Sequence, residues 1–189
     1  MAGANQTLKH LRAILPLPGM VTVVVPATLT YTTDSLNVAW SLPAPICFLP
    51  PLLGLGLILF GLVLMSKTIA LFARVGRGTL APWDPTQRLV VQGIYRHVRN
   101  PMISGVLFVL LGEAVLLGSM PVMVWFLLFL AVNLVYIPFS EEPGLEQRFG
   151  TDYVLYKKNV PRWLPRLTPW NLPPRDGESA LSGQLRGSE

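Results

Sequence analysis

Residues 102–117 read MISGVLFVLLGEAVLL, residues 122–139 read VMVWFLLFLAVNLVYIPF, and only GSMP separates the two runs. A helix needs about 20 mostly apolar residues to cross the hydrocarbon core of a bilayer, and each run is close to that length. Pro121 suits the first turn of a helix, where its missing N–H costs nothing. This stretch therefore predicts two antiparallel membrane helices joined by a tight turn.

Two further apolar segments precede this hairpin, at about 13–31 and 46–72. Three prolines interrupt the first segment, and Pro50-Pro51 stand near the start of the second, where a kink or break is expected. The first apolar stretch exceeds the roughly 7–15 residues of a signal peptide, so we favour a retained anchor. The sequence thus predicts an all-α integral membrane bundle of four spans, with a fifth, re-entrant piece near 43–51 as the alternative.

The composition agrees with a membrane protein. Of the 189 residues, 51% are hydrophobic and only 13% are charged, against about 25% charged in an average soluble domain. Mean hydropathy is +0.49. The apolar content excludes disorder over the whole chain, and the single cysteine, Cys47, excludes a disulfide framework.

The basic residues all fall on one side of the predicted four-span arrangement. All fifteen lysines and arginines lie before residue 13, within 67–99 or within 148–186, and none lies in 32–45 or 118–121. With four spans, every basic residue falls on one side, which the positive-inside rule makes cytoplasmic, with both termini inside. This pattern argues against nucleic-acid binding, and it predicts a multi-pass membrane protein.

Two polar blocks flank the hairpin, one over 87–105 and the other over 141–163. Because the hairpin returns to the face from which it started, both blocks emerge on the same side of the membrane, about 10 Å apart. We therefore expect the arginines of the first block to face the acids of the second across a cleft at the cytoplasmic interface.

The residue types in this cleft match a zwitterionic ligand. Arg96 and Arg99 can hold a carboxylate or phosphate, and Glu141 and Glu142 can hold an amine or a sulfonium. Tyr95, with Leu89 and Val90, offers an apolar wall for an aromatic ring. S-adenosylmethionine is a ligand of this kind, although anchoring and salt bridging at the interface are the commoner reason for such charges in membrane proteins.

Several short motifs occur in order over residues 85–165, separated by the two spans of the hairpin. They are Gly93-Ile94-Tyr95, Arg99-Asn100-Pro101, Glu141-Glu142-Pro143-Gly144-Leu145, Phe149-Gly150-Thr151-Asp152-Tyr153 and Val160-Pro161-Arg162. This series resembles the isoprenylcysteine carboxyl methyltransferase family, in its bacterial and archaeal branch. The resemblance implies an integral membrane methyltransferase that uses S-adenosylmethionine and acts on a lipophilic small molecule or membrane lipid.

The resemblance also implies site residues. The cofactor-binding set it implies is Gln87, Arg88, Leu89, Val90, Tyr95, Asn100, Pro101, Met102, Ile103, Glu141 and Glu142. Arg99 is the candidate catalytic cation for a carboxylate acceptor, a role that Arg96 or Arg148 can also fill. Glu142 is the candidate base for an amine acceptor.

The acceptor stays open at this point. The resemblance implies carboxyl O-methylation of a prenylcysteine-like substrate, but the eukaryotic members have an arginine a few residues before the acidic pair. Residues 134–140 contain no cation. Phospholipid N-methylation and a non-catalytic membrane scaffold are therefore the two alternatives.

The remaining polar residues have structural interpretations. Glu113 lies inside the third span, where an acid is a functional candidate by default, but the neighbouring small residues Gly105, Gly112 and Ser119 favour a role in helix packing. His97 has no second histidine or cysteine near it, so we expect no metal site. We expect residues 1–170 to form the membrane domain and 171–189 a disordered tail, because that tail is rich in Pro, Gly, Ser and charge.

Overall fold

The computed structural model describes residues 16–38, 40–75, 89 and 91–173, and every regular element formed by these residues is helical. Gln87, Arg88 and Val90, which the resemblance assigns to the cofactor site, lie outside the described residues. The α-helices are α1 Pro16–Gly19, α2 Val25–Thr33, α3 Leu49–Val75, α4 Pro101–Leu117, α5 Met120–Tyr136, α6 Glu142–Phe149 and α7 Thr151–Asn159.

The prolines of the first segment distort the helix without ending it. A π-helical turn, Met20–Val24, connects α1 to α2, so helical backbone runs from Pro16 to Thr33. Pro26 lies in the first turn of α2, where a missing N–H is tolerated. Within this apolar segment the hydroxyl of Thr22 donates to the carbonyl of Pro18 at 2.7 Å, which gives a polar side chain an internal partner.

The proline pair at 50–51 begins a helix instead of kinking one. A single 3-10 turn, Ile46–Phe48, leads directly into α3, and both prolines occupy the first turn of α3. The alternative of a separate re-entrant helix near 43–51 is therefore wrong. The physical reason is that a proline costs nothing at a helix start, so the pair marks a boundary.

The predicted hairpin of α4 and α5 is confirmed. Gly118 adopts a left-handed conformation with φ of +59° and caps α4. The amide of Asn37 donates to the carbonyl of Leu117 at 2.8 Å, and the Asn37 backbone lies so close to Gly118 that a Cβ there would collide with it. The loop after α2 thus packs against the turn of the hairpin.

Helices α3 and α4 approach each other through glycines. A Cβ on Gly61 would lie 2.5 Å from the carbonyl oxygen of Gly105, and one on Gly54 would lie 2.7 Å from that of Gly112. In a bilayer, helices associate through close packing of small residues, because lipid removes most of the hydrophobic driving force. The packing role expected for Gly105 and Gly112 is confirmed.

Within the part of the chain that the structure describes, two stretches, Ile46–Leu71 and Met120–Phe149, are long and apolar enough to cross a membrane, while α4 has 17 residues. Only 11% of the most apolar window in the first stretch is buried, so its leucines face outward. An apolar surface of this extent requires a nonaqueous partner, and a bilayer provides one. The structure thus supports membrane insertion with two spanning helices.

Glu113 lies in α4 with one buried carboxyl oxygen, Oε2, that has no hydrogen-bond partner among the described residues. Asn133 of α5 donates its side-chain amide to the carbonyl of Phe129 in its own helix at 2.8 Å. Glu113 and Asn133 therefore do not pair with each other.

The chain leaves α5 through a second π-helical turn, Ile137–Glu141, which runs into α6. Gly150, with φ of +56°, separates α6 from α7. These elements carry the second polar block back over the start of α4, where the candidate site forms.

Candidate active site

The two polar blocks meet at the start of α4, which confirms the central geometric prediction. The amide of Arg99 donates to the carbonyl of Pro161 at 2.9 Å, and the hydroxyl of Ser104 donates to the carbonyl of Trp163 at 2.9 Å. Further along, the amides of Arg166 and Trp170 donate to the carbonyls of His97 and Arg96 at 3.0 and 2.9 Å. The segment after α7 is thereby fixed along the first block.

Glu142 is the centre of the charged cluster between the blocks, and only 1% of its side chain is exposed. Its Oε1 accepts from Arg99 Nη1 at 2.8 Å and from Arg162 Nε at 2.8 Å. Its Oε2 accepts from Arg162 Nη2 at 3.0 Å and lies 3.1 Å from Lys157 Nζ. Three cations from three parts of the chain thus converge on one carboxylate, and we call these four residues the Glu142 clamp.

Arg99 and Glu142, the two candidate catalytic residues of the sequence analysis, both belong to the Glu142 clamp. Three adjacent cations favour the ionised carboxylate of Glu142, so it has little tendency to accept a proton as a base. Arg99 is 8% exposed and paired with that carboxylate, although its Nε has no partner among the described residues. Both side chains are placed to hold the two blocks together.

Glu141 differs from its neighbour although only one residue separates them. It is half-buried at the end of the π-helical turn, and its carboxylate makes no ion pair with a described residue. Consecutive helical residues point about 100° apart, so the two acids face different surroundings. Burial, with a smaller contribution from the Glu141 charge, raises the pKa of the Tyr95 phenol, which identifies Tyr95 as a neighbour of Glu141.

The tyrosines of α7 belong to a buried cluster beside the first block. Tyr153 and Tyr156 are buried with Val160, and Leu89 packs against the cluster. The hydroxyl of Tyr156 donates to the carbonyl of Tyr95 at 2.7 Å. Burial raises the pKa of Tyr153 to about 12, so its phenol is uncharged at physiological pH. These aromatic side chains thus connect α7 to the first block.

The residues at the start of α4 divide into accessible and buried members. Asn100 is half-buried; its amide N–H donates to the carbonyl of Arg162 at 3.3 Å, and its side chain makes no hydrogen bond with a described residue. Met102 and Ile103 are also half-buried, whereas the ring of Pro101 is fully buried in the first turn of α4. Pro101 therefore forms the buried start of α4, and its place in the donor site stays a prediction from the resemblance.

Sequence reasoning expected Arg99 to face the acids of the second block, as it does, but it missed the other two partners of Glu142. Arg162 lies 20 residues after Glu142, and Lys157 lies on a different helix, so helical periodicity does not connect them. The available signal was the Val160-Pro161-Arg162 motif, which the resemblance singled out without assigning it a role. The lone basic residue at its end is the bidentate partner of the buried acid.

The family model of phospholipid methyltransferases matches residues 50–152, more than half of the chain. The chain therefore belongs to the phospholipid methyltransferase family, one of the integral membrane methyltransferase families. The match spans α3, the hairpin, the first polar block and both acids, and membership implies S-adenosylmethionine as methyl donor. No curated protein gives a significant match to the chain.

Proposed function

We propose that this protein is an S-adenosylmethionine-dependent methyltransferase whose donor site lies between Tyr95, Asn100 and Glu141. The observation that carries the proposal is the contrast between the two adjacent acids. Glu142 is buried and fully paired, whereas Glu141 is half-buried and has no cationic partner among the described residues. A half-buried, unpaired carboxylate at a cleft is suited to a cationic ligand.

The residues around Glu141 fit the parts of the donor. The Glu141 carboxylate would face its positive charge, and the side-chain amide of Asn100, which bonds to no described residue, would hydrogen-bond its polar groups. Apolar walls would come from Leu89, Met102 and Ile103. When bound, the donor supplies a methyl group already activated by attachment to a sulfonium. The protein then mainly supplies position and a water-poor site.

Arg99 and Glu142 act in this proposal as positioning residues. Their ion pair joins the start of α4 to the start of α6, so it fixes the distance between Asn100 and Glu141. We therefore assign neither the cation that holds a carboxylate acceptor nor the base to these two residues. This revises the roles inferred from the resemblance.

We favour the amine of a phospholipid as the acceptor. The description of the matched family supports this class, and the pairing with Glu142 occupies Arg99, the first of the three arginines considered for a carboxylate acceptor. The second candidate is carboxyl O-methylation of a prenylcysteine-like substrate, which the ordered motifs of residues 85–165 support.

We also propose a topology of four spans, formed by residues 16–33, α3, α4 and α5. Both termini and both polar blocks would then be cytoplasmic, as in a bacterial inner-membrane protein, because every basic residue falls on that side. Cys47, at the start of the second span, would lie on the opposite side. Labelling of intact cells with a membrane-impermeant maleimide should therefore modify Cys47, and protection of Cys47 would contradict this topology.

The proposed activity can be tested by methyl transfer in membranes. Membranes containing the full chain are incubated with radiolabelled S-adenosylmethionine, and the extracted lipids are separated into amine phospholipids and prenylated compounds. We expect label in the phospholipids and a loss of at least about tenfold in Glu141→Gln, since hydrogen bonds to charged groups contribute most in such sites. Label in the prenylated fraction would select the second candidate.

A matched acid provides the control. Glu146 is also half-buried, but it pairs with Lys157 at 2.7 Å outside the proposed donor site. Glu146→Gln should therefore retain the transfer activity. Absence of label in every lipid fraction, or equal activity of Glu141→Gln and the wild type, would refute the proposed function and favour the scaffold alternative.

A further inference from the structure

A second concave region lies on the other side of the first polar block. It is a cavity of about 660 Å³ between the end of α3, the segment from Gly93 to His97, and the chain that follows α7. The residues that line it are Phe60, Val63, Leu64, Lys67, Ala70, Leu71, Gly93, Ile94, Arg96, His97, Pro165 and Pro169. None of these residues belongs to the Glu142 clamp or to the proposed donor site.

The first block separates the two regions because neighbouring residues face opposite sides. Tyr95 and Arg99 interact with the acids of the second block, while Arg96 and His97 line the cavity. The cavity therefore shares a wall with the donor cleft but none of the side chains assigned to it.

The charge of the lining has one sign. Lys67 and Arg96 are basic, His97 is the third polar lining residue, and none of the described residues that line the cavity is an aspartate or a glutamate. Lys67 is exposed and forms no ion pair or hydrogen bond with a described residue. Among these lining residues, an anion meets at least one cation and no competing acid, and an amine meets no carboxylate that would hold it.

Arg96 and His97 are also held in place by the chain that closes the cavity. Arg96 Nε donates to the carbonyl of Trp170 at 3.3 Å. His97 Nδ1 lies 2.8 Å from the carbonyl of Arg166, and because a carbonyl only accepts, Nδ1 carries the proton. These bonds use one nitrogen of each side chain and fix the others on a rigid wall.

The opposite wall is apolar and continuous with the lipid-facing surface. Phe60 and Val63 of α3 line the cavity and are 43% and 48% exposed, and Lys67 follows one turn later. A ligand can therefore place an acyl chain along α3 and its anionic group at Lys67. Basic pockets at the ends of membrane helices bind lipid headgroups in this way.

We propose that this cavity binds an anionic phospholipid that carries no amine, with its phosphate at Lys67 and Arg96 and an acyl chain against Phe60 and Val63. Such a lipid cannot accept a methyl group on nitrogen, so it is not a substrate of the activity proposed above. The inference rests on the cavity alone and holds whether or not the donor site is active.

Native mass spectrometry of the full chain in detergent tests the proposal. The probes are phosphatidylglycerol, phosphatidylethanolamine and inorganic phosphate at matched concentrations. We expect phosphatidylglycerol to bind in preference to phosphatidylethanolamine, and inorganic phosphate neither to bind nor to compete, because it lacks the chain that contacts α3. Equal binding of the two lipids, or competition by inorganic phosphate, would overturn the proposal.

Lys67→Gln should weaken phosphatidylglycerol binding about fivefold, the effect expected of one basic side chain at a membrane surface. Lys158→Gln is the matched control, because Lys158 is exposed and lies outside the cavity lining. Unchanged lipid affinity in Lys67→Gln, with an unchanged thermal midpoint, would refute the site. Heat of S-adenosylhomocysteine binding, measured on the same variant, keeps this outcome separate from failure of the donor site.

Discussion

The α3–α4 helix pair and the Glu142 clamp hold the same bundle together by different means. Between the helices, Gly54 and Gly61 bring backbones into contact with Gly112 and Gly105, and no charge is involved. At the clamp, a buried carboxylate receives three cations from distant parts of the chain. The first contact depends on shape and the second on electrostatic pairing.

The difference follows from the surroundings of each contact. Lipid tails are as apolar as the side chains, so burying those side chains between helices gains no hydrophobic free energy. Packing between spanning helices therefore depends on how closely their backbones approach. At the start of α4, where the clamp lies, buried charges are tolerated only when they are paired and hydrogen-bonded. Substitutions should therefore damage the helix pair by adding atoms and the clamp by removing charge.

The largest effect is expected at the centre of the clamp. Glu142→Gln leaves Arg99 and Arg162 without a counter-ion, and breaking a buried ion pair in this way costs about 3–5 kcal/mol. The free energy of unfolding in detergent micelles, measured by urea titration and circular dichroism, should fall by that amount. A loss below about 1 kcal/mol, the range of surface ion pairs, would show that the clamp does not join the two blocks.

The helix pair should respond to a single added methyl group. Gly61→Ala places a Cβ against the Gly105 carbonyl and the Val109 side chain, and overpacking of this kind costs about 1–3 kcal/mol. Gly56→Ala on the same helix has no atom within 4 Å of its Cβ and should be neutral or slightly stabilising. Equal unfolding free energies for the two variants would contradict the glycine contact.

A smaller effect is expected where α7 meets the first block. Tyr156→Phe removes the hydroxyl that donates to the Tyr95 carbonyl, at a cost of about 1 kcal/mol for one hydrogen bond. Tyr31→Phe is the control, since Tyr31 is 89% exposed. If both variants unfold at the same temperature, the bond contributes nothing to the closure of the cleft.

The smallest effect is expected at the exposed member of the clamp. Lys157 is 39% exposed, so Lys157→Gln should cost less than about 1 kcal/mol. Hydrogen bonds to Glu146 and Glu142 raise the pKa of Lys157, so its contribution is fully present at neutral pH and disappears only in strong alkali. A loss as large as that of Glu142→Gln would mean that the lysine, and not the two arginines, neutralises the buried acid.

Much of the architecture follows from local patterns in the sequence. The apolar runs and the turn before Pro121 predict the hairpin, and the hairpin in turn requires the two polar blocks to meet. The small residues at 105 and 112 predict close helix packing, and Gly150 predicts the break between α6 and α7. Each of these signals is contained within a few consecutive turns of helix.

The chemistry of individual acids did not follow from the sequence. Glu141 and Glu142 are identical residues in adjacent positions, and only long-range contacts make one buried and the other accessible. The register between α3 and α4 likewise depends on four glycines in two helices that are far apart in the sequence. The role of Pro50-Pro51 was ambiguous, because the same residues mark a kink in a long helix or the start of a new one.

Binding of S-adenosylhomocysteine to the purified full chain, measured by isothermal titration calorimetry in detergent, tests the central claim most directly. The account predicts measurable heat for the wild type and at least about tenfold weaker binding for Glu141→Gln, with an unchanged thermal midpoint. Absence of heat from the folded wild type, or equal affinity in Glu141→Gln, would contradict a donor site at Glu141.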